Sequence, residues 1–232
     1  MTDEYIHICV DAQGKYIRNL APVRQKLFPS LIASFSSALK QRLIDTVWVA
    51  YGVPGQRPEF AEEKAAALGI CGQRKAGDAV FVKGQEDAFD GAAGRASLLA
   101  DYLLRIGKRR IIVTGMETTT CVPQSVVGAL LRDAGGLYGF EIVVITDLLA
   151  QSGNANAVLD ADPSWHARAA RAKIESRTIG IKSLFASAVQ GEDATAKVRY
   201  MTSAELLAEL DKKPAPAARQ TPVLSSKRQA FG

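Results

Sequence analysis

Residues 111–136 read IIVTGMETTTCVPQSVVGALLRDAGG. The run opens as a strand, apolar and β-branched from Ile111 to Thr114. It closes as a helix, with Val122, Val126, Ala129 and Leu130 on one face at helical spacing. A threonine-rich turn joins the two halves. Cys121 stands at the junction, and Pro123 suits the first helical turn, where its missing N–H costs nothing. A strand feeding directly into a helix is the repeating unit of a parallel sheet, because parallel neighbours need a crossover between them.

Outward from this stretch the same unit recurs. Strand patterns rich in Val, Ile and aromatics lie at 5–11 (YIHICVD), 45–53 (DTVWVAYGV), 78–83 (DAVFVK), 109–116, 140–146 (FEIVVIT) and 196–201 (AKVRYM). Several are apolar almost throughout, as strands covered on both faces are. Residues 95–107 place Leu99, Tyr102, Leu103 and Ile106 at helical spacing, with Gly107 as a stop, and TSAELLAEL (202–210) opens with Thr202, Ser203 and an acidic first turn. The alternation predicts an α/β fold, a doubly wound and mainly parallel six-stranded sheet of order 3-2-1-4-5-6 with helices on both faces. Residues 148–165 read as a long loop, and the helical pattern at 166–190 is longer than one crossover requires.

Charge divides the chain. The net charge is +5, and after Asp211 come five basic residues and no acid, so residues 1–211, read as one domain, are balanced. Residues 212–232, with three of the nine prolines, read as a flexible basic tail. The basic pI therefore gives the body no reason to bind nucleic acid. No run approaches the length of a membrane span, and the acidic N-terminus lacks a signal-peptide pattern. The three cysteines, Cys9, Cys71 and Cys121, have neither metal-like nor redox-like spacing. Together these features predict a cytoplasmic protein without membrane contact. His7 and His166 are too few and too far apart for a zinc site or a serine triad, and His166 reads as a surface or packing residue.

In an open parallel sheet, functional groups gather at the carboxyl ends of the strands. Asp11, Lys83 and Cys121 all fall there. An ammonium and a helix N-terminus both favour a thiolate, so Lys83 and the helix after Cys121 are expected to lower the thiol pKa. Asp11 is expected to take the thiol proton and return it to a leaving group, and backbone N–H groups in the GMETTTC turn are expected to bind an oxyanion.

With these residues in view, the chain resembles the isochorismatase-like cysteine hydrolases. The resemblance rests on VDAQ (10–13), DAVFVKGQEDAF (78–89) and TGMETTTCVPQSVVGA (114–129), in that order, and extends more weakly through VRYMTSAELLAEL. It implies catalytic roles for Asp11, Lys83 and Cys121, oxyanion donation by the backbone N–H groups of Glu117 and Cys121, and a cis peptide between Met116 and Glu117. It also suggests Phe89 as a substrate-binding residue, which reads equally well as core; Gln13 and Tyr16, on the loop that follows Asp11, and Thr118 are further substrate-binding candidates. Relatives that deamidate nicotinamide carry metal-binding histidines after the second strand. VAYGVPGQRPEF (49–60) has none, so neither a metal nor any other cofactor is expected. Relatives that cleave isochorismate often lack the cysteine, so its presence favours acyl chemistry. Ser125 replaces a usual threonine, and RDAGGL (132–137) reads as an insertion.

The expected activity is cysteine-dependent hydrolysis of a small amide or ureide C–N bond through a thioester, in a homo-oligomer, dimer or tetramer, whose partner is a small-molecule substrate. Two alternatives remain at this level. One is an enol ether hydrolase with Asp11 as acid; the other is a non-catalytic binding protein on the same scaffold.

Overall fold

Strand β1 (Tyr5–Val10) lies at the centre of a seven-stranded sheet in the computed structural model, which describes residues 4–70, 74–90, 97–133, 138–153, 162–185 and 197–212. The other strands are β2 (Thr46–Tyr51), β3 (Glu59–Phe60), β4 (Ala79–Lys83), β5 (Arg110–Met116), β6 (Glu141–Ala150) and β7 (Val198–Met201), in the order β3-β4-β2-β1-β5-β6-β7. β1 pairs in parallel with β2 and with β5, and only β3 runs antiparallel, on β4. Six strands thus take the expected order. The expectation of six is corrected by β3, two residues too short to leave a period-two signal in the sequence.

Alternation along β1 sends side chains to two cores. Ile6, Ile8 and Val10 join Leu99, Val122, Val126, Ala170 and Ile174, from helices α3 (Leu98–Arg105), α4 (Cys121–Arg132) and α5 (Pro163–Phe185). Tyr5 and Cys9 join the opposite layer, which holds Phe28, Ile32, Phe35 and Leu39 of α2 (Pro22–Gln41) and Leu206 and Leu210 of α6 (Ser203–Lys212). A short helix α1 (Gly14–Ile17) precedes α2.

Helix α2 has no counterpart in the sequence reading, because Pro29 lies inside it. A proline there removes an N–H, crowds the preceding turn and costs about 3 kcal/mol. The four fully buried apolar side chains of α2 each contribute about 1.5–3 kcal/mol, which outweighs that cost. At α6 the expected N-terminal signature takes the form of a reciprocal box. Glu205 N–H donates to Thr202 Oγ1 at 3.2 Å, and Thr202 N–H donates to the Glu205 carboxylate at 2.7 Å.

Residues 148–150, expected in a loop, extend β6, where Gly115 and Met116 pair with Leu149 and Ala150 after a register shift. The other described boundaries shift by at most three residues, and Lys212, assigned to the tail, closes α6. The tail beyond it, Cys71, most of the expected 148–165 loop and the end of the 166–190 helical pattern lie outside the described residues. Among the described residues no helix is long and apolar enough to cross a membrane.

Candidate active site

The sheet order brings three side chains to one edge. Asp11 follows β1, Lys83 ends β4, and Cys121 opens α4 beyond β5. β2 separates β1 from β4, with Tyr51 of β2 in register with Lys83, so the lysine's long side chain spans the intervening strand end. Asp11 adopts φ 50°, the left-handed region that a short polar side chain tolerates, while its N–H donates to Val49 O at 2.8 Å. Gly115 permits the close approach of β5 to β1. A Cβ there would stand 2.0 Å from Val10 O, and its φ of 117° is one that L side chains rarely adopt.

Lys83 Nζ lies 2.9 Å from Asp11 Oδ2, with both side chains fully buried. It also donates to the carbonyl of Glu86 at 2.6 Å. The Cys121 thiol lies against the same carboxylate. The two neighbours leave lone pairs of the carboxylate unfilled, so among the described residues Asp11 retains acceptor capacity. A buried carboxylate in that condition is rare, since most buried polar atoms are satisfied.

Burial pushes the Asp11 carboxyl up, against the opposing pull of the Lys83 charge. The Cys121 thiol is pushed up to about 12, first by burial and then by the Asp11 charge, with Lys83 opposing. This corrects the expectation of a lowered thiol pKa. The ammonium and the helix N-terminus do act in that direction, but a thiolate here would be desolvated and beside a carboxylate. At rest the proton belongs on sulfur.

The loop after β4 is fastened to α4. Ala88 N–H donates to Ser125 Oγ at 3.1 Å, Gln124 Nε2 to Glu86 at 2.6 Å, and Arg132 Nε to the Phe89 carbonyl at 3.1 Å. Gly128 leaves room for Asp87, whose carboxyl oxygen would stand 2.1 Å from a Cβ at that position. Lys83 is therefore held by a loop that the cysteine's own helix anchors.

The Met116–Glu117 peptide is cis. Beyond it the chain turns back on itself, with Thr120 N–H and Val122 N–H both donating to the Glu117 carbonyl at 3.2 and 3.1 Å. Cys121 N–H, at the start of α4, belongs to the first turn, whose N–H groups have no intrahelical acceptor. The Glu117 carboxylate accepts from Gln151 Nε2 at 2.5 Å, from Ser152 N–H at 2.7 Å and from Ser152 Oγ. Gln151 Oε1 in turn accepts from the Thr119 N–H and hydroxyl at 3.0 and 2.9 Å. Gln151 and Ser152, missed in the sequence, lace this turn to the end of β6. No local pattern marks them.

The four residues suggested for substrate binding separate in space. Tyr16 is half-buried, and the charges on Asp11, Cys121 and Glu117 all act on its phenol, whose pKa is raised chiefly by burial. It therefore stands within electrostatic reach of Asp11 and Cys121, on the side we call the crevice. Gln13 is spent on the backbone, its amide bonded to Tyr51 N and O at 2.9 and 3.3 Å and to Leu68 O at 3.0 Å. Phe89 is fully buried, 6.0 Å from the Phe140 ring, and takes the core alternative. Thr118 is buried too, its hydroxyl 3.0 Å from His166 Nδ1. Of the two readings of His166, surface or packing, the packing one holds, since the residue is fully buried.

A cleft of about 490 Å³ opens beside the crevice, lined by Gln13, Tyr51, Gln56 and Leu68 among others. That volume suits a small organic molecule. The Tyr51 ring links the two spaces, 5.6 Å from Lys83 Nζ. Tyr51 had a sequence signal, as an aromatic near the carboxyl end of the 45–53 strand pattern. The 64–69 wall had none. Among the described residues no cluster of three or more His, Cys, Asp or Glu side chains is arranged to hold a metal ion.

Known proteins share this architecture. An isochorismatase-like hydrolase from Alkaliphilus metalliredigens superposes with a TM-score of 0.53 at 13% identity, covering 89% of this chain and 98% of its own. A cysteine hydrolase from Pseudomonas syringae gives 0.52 at 13% identity, with 91% and 94% covered. A pyrazinamidase of Pyrococcus horikoshii, solved in complex with zinc, gives 0.53 at 16% identity, with 86% and 99% covered. At such identities the likeness is one of fold. A search of the curated proteins returns no match. The isochorismatase domain model, however, matches residues 5–169, a span that includes β1, β4, β5 and the cysteine that opens α4, and the chain is therefore a member of the isochorismatase-like hydrolase family.

Proposed function

We propose that the protein hydrolyses a small amide or ureide C–N bond through a thioester on Cys121. The observation that carries this reading is the fully buried Asp11–Lys83 pair, 2.9 Å apart, whose carboxylate keeps acceptor capacity beside a thiol. Such a carboxylate is a base awaiting a proton. As sulfur attacks the carbonyl carbon, the thiol proton passes to Asp11, so a free thiolate never accumulates. The carbonyl oxygen, now anionic, is taken by the backbone N–H groups of Glu117 and Cys121. Collapse of the adduct breaks the C–N bond, and Asp11 gives its proton to the departing nitrogen. Water then adds to the thioester, losing a proton to Asp11. The acid leaves and sulfur regains the proton. Lys83 keeps the carboxylate charged enough to act as a base despite its burial. A homo-oligomeric state belongs to this proposal.

The test is acid-quenched mass spectrometry after mixing the protein with a pool of small amides. An acyl adduct confined to Cys121 is the expected result. The raised thiol pKa supports a second reading, an enol ether hydrolase in which Asp11 protonates the substrate and sulfur takes no part. Full turnover of an enol ether by the Cys121→Ala protein, with no adduct in the wild type, would select that reading.

A further inference from the structure

The cleft beside Tyr51 carries a charge that the hydrolase reading leaves unused. Lys15, Arg18 and Lys64 line it, and among the described residues no lining side chain is acidic. Lys64 is compensated by an ion pair with Glu59, a carboxylate that Gln56 also contacts at 2.8 Å. The other two cations differ. Lys15 Nζ donates to the Tyr51 carbonyl at 3.0 Å and stands over the Tyr16 and Tyr51 rings, 4.9 and 5.4 Å from their centroids. A carbonyl and two aromatic faces fix this ammonium in place without neutralising it, and an ammonium has two further donors to give. Arg18 lies one helical turn beyond Lys15, exposed, with no acid paired to its guanidinium among the described residues. A guanidinium fork suits a carboxylate, which it binds through two parallel bonds.

The cleft and the crevice share walls. Gln13 lies two residues from Asp11, Val82 one residue before Lys83, and Tyr51 touches both spaces. The Lys15 charge reaches the Asp11 carboxyl, on which it acts in the lowering direction. The cleft is thus joined to the Asp11 carboxylate through the Tyr51 ring and the Lys15 charge, the reacting groups themselves lying outside its lining.

We propose that Lys15 and Arg18 form an anion subsite, and that the substrate is an amide or ureide whose far end carries a carboxylate. This rests on the hydrolase reading for which bond is cleaved, but the subsite itself is a matter of charge and can be measured apart from turnover. A neutral substrate would leave Lys15 and Arg18 with nothing to bind, whereas an anionic one gains a preorganised donor set without ordering a new side chain at position 15.

The probes are succinamate and its uncharged counterpart succinamide, titrated by calorimetry into the Cys121→Ser protein, which holds the probe without forming a thioester. Succinamate is expected to bind at least tenfold more tightly than succinamide. The preference should shrink toward unity in Arg18→Met and in Lys15→Met, and should weaken as salt is raised. Arg18→Met is the cleaner variant, because that side chain supports no backbone, and circular dichroism checks the fold of both. Equal binding of the two probes, binding of neither at millimolar concentration, or a preference that survives both substitutions overturns the subsite. Wild-type protein separates the two claims. An acyl adduct on Cys121 formed equally from both probes keeps the hydrolase reading and removes the subsite, whereas a charge preference without any adduct or ammonia release keeps the subsite and removes the hydrolase reading.

Discussion

Strand β1 and the residue that follows it bury two polar side chains only four positions apart, and they are treated in opposite ways. His7 lies mid-strand with Nδ1 3.0 Å from Thr46 Oγ1 and Nε2 2.8 Å from Thr114 Oγ1, one threonine on each neighbouring strand. The Phe35 ring meets it edge-on at 5.5 Å. Both nitrogens are satisfied by hydroxyls that either give or take a proton, so the ring stays neutral, and burial holds its pKa down to about 3. Asp11, at the end of the same strand, keeps a charged partner and unfilled acceptor capacity. The comparison teaches that burial alone does not mark a reactive group. A buried polar group whose bonds are complete is structural, and one whose bonds are incomplete beside a nucleophile is equipped for proton transfer.

The largest expected effect breaks the reactive end. Cys121→Ala should lower ammonia release from any amide that acylates the protein by about 10⁴-fold or more, with little change in stability. Retained turnover would leave Asp11 acting without sulfur. Lys83→Met is next, because it removes the only cation within ion-pairing distance of Asp11 among the described residues. Leaving one member of a buried pair without its partner costs about 3–5 kcal/mol, read by urea denaturation. The acid limb of the wild-type pH–rate profile should already lie above the ordinary carboxylate range, because burial raises Asp11. In Lys83→Met it should move higher still.

A smaller effect sharpens the contrast at the turn proposed to hold the oxyanion. Gln151→Leu removes the amide that joins the Glu117 carboxylate to Thr119. Misplacement of a reacting geometry by about 1 Å costs about 10²-fold, so kcat should fall toward that extent while the affinity for succinamate is kept. A fall in affinity instead would make Gln151 part of the binding site.

The smallest effect belongs to the structural end. His7 has a folded pKa of about 3 against an ordinary 6.5, so between those values the unfolded chain binds the extra proton and the folded chain does not. Stability from this group is therefore complete above 6.5 and is lost as pH falls toward 3, by about 2 kcal/mol between pH 7 and 5. His7→Leu should flatten that part of the stability profile relative to wild type, even though the loss of two hydrogen bonds makes it less stable at every pH. An identical slope in both proteins would show that His7 is not the group responsible.

The sequence by itself determined the architecture and the meeting place of the three groups on which the proposed chemistry rests. Apolar strands alternating with amphipathic helices leave a parallel sheet as the consistent solution, and such a sheet collects its strand ends on one edge. Asp11, Lys83 and Cys121 were found there by position alone. Tertiary structure decided what those groups and their neighbours are like. Proton affinity depends on the desolvation and charge supplied by other segments, and these set the thiol high where the local helix start argued for low. The same dependence on distant partners committed Gln13 to the Tyr51 backbone, Phe89 to Phe140 and Thr118 to His166, and brought Gln151 and Ser152 to the turn. Helix α2 crossed Pro29 because packing energy gathered from the whole layer exceeds a local penalty, and no window of sequence contains that sum.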